Sequence, residues 1–86
     1  MKIRFVASTS ASQLGDMLRT ARENASMSLQ EAVANLPISS EELQRLENGE
    51  FLDLPSVVLI GLAANLGLDA SEVLLAAKID QANRRG

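Results

Sequence analysis

Along most of this chain the apolar residues recur at helical spacing, and residues that cap helices stand where each run begins. Leu14, Met17, Leu18 and Ala21 fall at i, i+3, i+4 and i+7, which predicts one apolar stripe on a first helix. Leu29, Ala32, Val33 and Leu36 predict a second helix, and Leu43 with Leu46 a short third. Val57 to Leu66 (VVLIGLAANL) is apolar almost all round, the pattern of a helix at the buried centre of a domain. Gly67 is the expected stop of that fourth helix. A fifth runs from about Ala70 into the eighties on Val73, Leu74 and Ala77, with Leu75 and Ile79 as further apolar positions. Arg84 and Arg85 then fall near its end, where the helix dipole favours positive charge.

The starts of these helices are legible as capping boxes. Ser28-Leu-Gln-Glu31, Ser39-Ser-Glu-Glu42 and Asp69-Ala-Ser-Glu72 each set a capping side chain three residues before a glutamate. In such a box the cap accepts from an orphan N–H and the glutamate reaches back to the cap's own N–H. Ser10-Ala-Ser-Gln13 is a weaker version ahead of the first helix. The fourth helix is expected to begin near Asp53, with Pro55 in its first turn, where no intrahelical donor is needed. The first nine residues, MKIRFVAST, break the helical pattern: Lys2-Ile3-Arg4-Phe5-Val6 alternates before a less regular end. They read as an arm, either frayed or a short strand pairing with its copy in a dimer. The expected organisation is an arm over residues 1–9, a helical domain over 10–80 and a tail over 81–86.

Composition narrows what such a domain can do. With 86 residues there is room for one small core, and 2% aromatic content means that Leu, Val, Ile, Ala and Met must build it. Hydrophobic residues make up 47%, more than a domain of this size easily hides, so a homodimer is expected; a compact helical monomer is the alternative. Its interface is expected on helix 5 with residual apolar surface from helix 4. The chain has no cysteine and no histidine, which excludes disulfides, thiol nucleophiles, the usual zinc sites and His-dependent acid–base catalysis. Glu41 and Glu42 are adjacent and point in different directions on a helix, so they form no acid–base pair, and there is no glycine-rich phosphate loop. The reading is therefore non-enzymatic, with no cofactor and no metal. No run of ~18 apolar residues is present to span a membrane, and residues 1–10 lack the apolar stretch of a signal peptide. A cytoplasmic protein is expected.

Charge is distributed unevenly. The net value is −3, but residues 1–22 carry +3, residues 23–77 carry −8 and residues 78–86 carry +2. Arg45 is the one basic residue of the middle block, among Glu31, Glu41, Glu42, Glu47 and Glu50.

MSLQEAVANLPIS, LQRLENGE and LIGLAANLGLDASEVL, in that order, resemble the Cro/repressor-type (XRE) helix-turn-helix domains of bacterial and phage regulators. The resemblance spans about Gln13 to Leu75. It implies an all-α, compact five-helix repressor-like fold in which helix 3 lies in the DNA major groove. It also implies a buried ion pair between Arg22, late in helix 1, and Glu47 of the LENG exit. The candidate DNA-contacting residues are Ser28, Ser39, Ser40, Glu41, Gln44, Arg45 and Asn48. Arg45 suits guanine, Gln44 adenine, and Glu41 or Glu42 the amino group of cytosine. Lys2, Arg4 and Arg19 are candidates for flanking positive charge. Ser28 and Ser39 are read first as caps.

The chain also departs from that family's pattern. Leu29 stands where a glutamine grips phosphate, Glu50 where a basic residue touches the backbone, and Pro37 where a glycine makes the turn. Phosphate contacts supply much of the affinity of DNA-binding proteins, and the acidic residues around helix 3 oppose them. Two functions stay open: a dimeric DNA-binding regulator (repressor or antitoxin-like), or an acidic helix-turn-helix that binds a basic protein partner.

Overall fold

The computed structural model describes residues 12–50 and 52–85. Among them the chain is all-α: α1 (Gln13–Asn24), α2 (Leu29–Ala32), α3 (Ser40–Glu47), α4 (Ser56–Leu66) and α5 (Ala70–Arg85). The N-terminal segment expected as an arm or strand lies outside the described residues, as do Lys2, Arg4 and Ser10.

Four side chains seal the centre: Leu18 of α1, Leu43 of α3, Leu62 of α4 and Val73 of α5 are all fully buried. Leu14, Ala32, Ile38, Leu46, Val58, Leu59, Ala63, Leu66 and Ala76 complete the core, so every helix contributes its stripe. Burying a leucine or valine in this way stabilises the fold by about 1.5–3 kcal/mol relative to leaving it exposed. α4 packs on α5, α1 and α2, while α1 packs on α5 and α3.

Local chemistry sets the boundaries. Ser28 and Ser39 close full capping boxes with Glu31 and Glu42. At α5 the box does not form: the Asp69 carboxylate accepts from Ser71 N at 2.9 Å, two residues on rather than three. α1 is capped by Ser12, whose Oγ accepts from Gly15 N. α4 begins at Ser56 and not near Asp53. Pro55 is its cap residue, and the Pro55 carbonyl accepts from Val58 and Leu59. Gly67 ends α4 at φ 72, and Leu68 N donates back to Ala63 O at 2.8 Å, the bond pattern of a Schellman stop.

Two further expectations change. The second helix is one turn long, ending at Ala32 instead of reaching Leu36. Asn35 takes a left-handed conformation at φ 65, and the missing N–H of Pro37 prevents a helical continuation. The connection to α3 is therefore an irregular stretch over residues 33–39 rather than a tight turn. Asn35 thus supplies the backbone shape that a glycine commonly supplies. The second change concerns α4, which is not buried all round: Val57 is 69% exposed and Ile60 44% exposed.

Candidate nucleic-acid interface

α3 is held to the domain along one side and bare along the other. Leu43, Leu46 and Glu47 are buried. Glu41, Gln44, Arg45 and Asn48, at i, i+3, i+4 and i+7, are all exposed. This stripe contains four of the seven candidate contact residues. Ser40 is half-buried at the first position of α3, and the other two, Ser28 and Ser39, are exposed.

Three interactions fix the inner side. Arg22 Nε donates to Glu47 Oε2 at 2.8 Å, and Arg22 Nη2 donates to Glu47 Oε1 at 2.9 Å. The pair is bidentate and nearly dry, the side chains being 16% and 3% exposed. Hydrogen bonding to Glu47 raises the Arg22 guanidinium above the ordinary arginine value, against the opposing effect of burial. Arg22 Nη1 also donates to Met27 O at 3.0 Å, tying the α1–α2 junction to the same centre. At Gly15 the backbones of α1 and α3 approach so closely that a Cβ there would run into the Leu46 carbonyl.

Two residues that the pattern alone did not single out support this frame. Asp80 is only 8% exposed. Its carboxylate accepts from Ser12 Oγ, Gln13 N and Leu14 N at 2.9–3.0 Å, so α5 caps the N-terminus of α1. The signal lay in its register, for Val73, Ala76 and Asp80 share one stripe and a carboxylate there needs a built partner. Asn65 of α4 donates through Nδ2 to Ala32 O at 2.9 Å and to Ala34 O at 3.1 Å, satisfying carbonyls at the end of α2. It was the one polar side chain in an otherwise apolar run.

The outer side has weaker ties. Arg45 Nε donates to Glu50 Oε1 at 3.0 Å, with both side chains about half exposed (55% and 51%). Glu42 is turned back onto Ser39 N at 2.9 Å, which takes it away from base readout and leaves Glu41 as the acid on the stripe. The hydroxyl oxygens of Ser28 and Ser39 each accept from a backbone N–H at 3.0 Å. Arg19, expected as flanking charge, donates from Nη2 to Glu47 O at 3.0 Å and to Asn48 Oδ1 at 2.8 Å, and its Nε lies 3.6 Å from Glu47 Oε1. It therefore orients Asn48 and faces the carbonyl end of α3, where the helix dipole welcomes it.

A rigid backing, a short helix with a bare polar stripe and capped helix N-termini on either side of an irregular turn define a helix-turn-helix unit. A family model described as a helix-turn-helix domain matches residues 17–73, and the chain belongs to that family. The match is consistent with the repressor-type resemblance, and at a coarse level it suggests a DNA-binding regulator. No curated protein and no solved structure matches the chain. Among the described residues, no helix is long and apolar enough to cross a membrane, and no group of acidic side chains is arranged to hold a metal ion.

Proposed function

We propose that the chain is a DNA-binding transcriptional regulator, repressor- or antitoxin-like, acting in the cytoplasm as a homodimer with α3 in the major groove. The observation that carries this reading is the exposed stripe Glu41, Gln44, Arg45 and Asn48 on a helix whose other side is locked. Gln44 presents the donor–acceptor pair that adenine matches, Arg45 the fork that guanine matches, and Glu41 an acceptor for the amino group of cytosine. Ser40 and the N-termini of α2 and α3 offer groups to the phosphates. Catalysis has no part in this reading.

Magnitudes favour the release of Arg45. An exposed ion pair such as Arg45–Glu50 is worth about 0–1 kcal/mol. A bidentate contact to the matching base discriminates by about 1–3 kcal/mol. The acids around the stripe nevertheless remove phosphate contacts, so binding is expected at low salt with a shallow salt dependence. The test is selection from a random duplex pool at low salt, followed by mobility shifts on the enriched sequence and on the DNA upstream of the protein's own gene. Enrichment of a palindrome whose binding is lost in Arg45→Ala and Gln44→Ala supports the reading; enrichment of no sequence overturns it.

One observation favours a second reading. Arg45, the cation of the outer stripe, is already matched to Glu50, so the described outer face of α3 is balanced or acidic. Such a face suits a basic protein, for instance the DNA-binding surface of another regulator or a toxin. Recovery of one stoichiometric basic partner from the native host, lost on replacing Glu41 and Glu50 by lysine, supports this second reading.

A further inference from the structure

α4 (SVVLIGLAANL) carries no ionisable side chain, yet part of it faces solvent. Val57 is 69% exposed, Ile60 44% exposed, and Ala64 on the same side is exposed, at i, i+3 and i+7. At the edge of this stripe Leu36 sits on Gly61, which extends the apolar surface toward the α2–α3 connection. Leu75, the remaining large exposed hydrophobic residue, differs in kind: on α5 it stands between Glu72 and Lys78, one turn away on either side. Leu75 has a charged side chain one turn away on either side, whereas the α4 stripe repeats over successive turns of an uncharged helix, the kind of surface that marks an interaction site.

We infer that the stripe is covered by a second copy of the chain, docked α4 against α4 about a twofold axis. An isologous contact sets a patch against itself, so the patch must tolerate its own charge. The chain has a net charge of −3, and exposed acids lie on α1, α2, α3 and α5. Among the described helices α4 is where two copies can meet without like charges opposed. This places the interface of the proposed homodimer on α4 itself, where the sequence suggested helix 5 with only residual apolar surface from helix 4. It rests on that homodimer, although association is measured without DNA. A helix of 11 residues is about 16 Å long, so contact along one side of it is small beside the ~800 Å² per partner of a stable interface. The dimer is therefore weak in solution, and two DNA half-sites would reinforce it by holding the copies together.

Sedimentation equilibrium of the full chain from ~10 μM to ~1 mM covers the range expected for an interface of this size. The wild type is expected to dimerise within that range. Ile60→Glu and Val57→Glu are expected to raise the dissociation constant at least ~10-fold, while Leu75→Glu leaves it unchanged and circular dichroism shows each variant folded. A wild type that stays monomeric throughout, a dimer that survives both α4 substitutions, or one that Leu75→Glu disrupts equally overturns the inference. A palindrome still bound by a chain that never dimerises through α4 would remove this interface and leave the DNA reading standing.

Discussion

Two of the arginine–glutamate pairs at α3 share the same chemistry and do different work. Arg22–Glu47 is bidentate, its side chains 16% and 3% exposed, and it joins α1 to α3. Arg45–Glu50 closes a single bond between half-exposed side chains on the outer lip. In the first, neither charge can return to water without opening the domain, so removing one partner strands the other. In the second, solvent and salt already screen both charges, so the bond forms and breaks at little cost. One side of α3 is thus locked into the domain, while the ion pair on the other can open to solvent at little cost.

The largest expected effect tests the permanence of the inner side. Glu47→Ala leaves Arg22 unpaired at a nearly dry junction and is expected to cost about 3–5 kcal/mol. For a domain of this size that corresponds to a fall in melting temperature of more than about 12 °C, measured by thermal denaturation. A fall of only a degree or two would mean that the pair is no more than decorative. Its pH dependence has a definite sign. A raised arginine pKa contributes stability that is complete below the ordinary arginine value and is lost only above it. Melting curves in mildly alkaline buffer should therefore show no loss traceable to Arg22.

An intermediate effect is expected at the caps that frame the stripe. Ser39→Ala opens the box with Glu42 and should cost about 1 kcal/mol, lowering the midpoint by roughly 4–8 °C. Glu42→Gln, which keeps an acceptor for Ser39 N, should retain most of that stability; an equal loss would point to charge rather than the cap.

The smallest effect on folding falls at the outer pair. Glu50→Ala should change stability by less than about 0.5 kcal/mol and release Arg45 for a ligand. If the stripe reads DNA, the same substitution strengthens binding and steepens its salt dependence. If it binds a basic protein, that interaction weakens. A destabilisation rivalling that of Glu47→Ala would erase the contrast between the two pairs.

Much of the architecture was legible because it is local. The stripes of α1 and α3, the boxes at Ser28 and Ser39 and the stop at Gly67 depend on residues within a turn or two of one another. The end of α2 was harder: Val33 and Leu36 keep helical spacing and are half-buried, but Asn35 and Pro37 turn the backbone before a second turn of helix forms. At α5, helical spacing and a plausible box concealed the fact that Asp69 bonds Ser71 instead. The candidate stripe was legible as a set of residues, while the state of each was not. That Glu42 turns back to Ser39, that Arg45 closes on Glu50 and that Arg19 holds Asn48 depends on rotamers and on neighbours up to 29 positions apart in the chain.

By itself the sequence determined an all-α chain, the position of its helix-turn-helix unit and an outer face poor in positive charge, since periodicity, capping and charge are properties of short stretches. Tertiary structure decided which charges are structural and which are available. Asp80 became a cap for α1, Asn65 a clamp on the end of α2 and Glu47 the anchor of Arg22 only when packing brought distant elements within hydrogen-bonding distance. The same packing decided that α4, apolar almost all round, would bury one face and show the other. A helix can turn all of its apolar surface inward only if neighbours surround it, and a domain of five short helices does not supply enough of them.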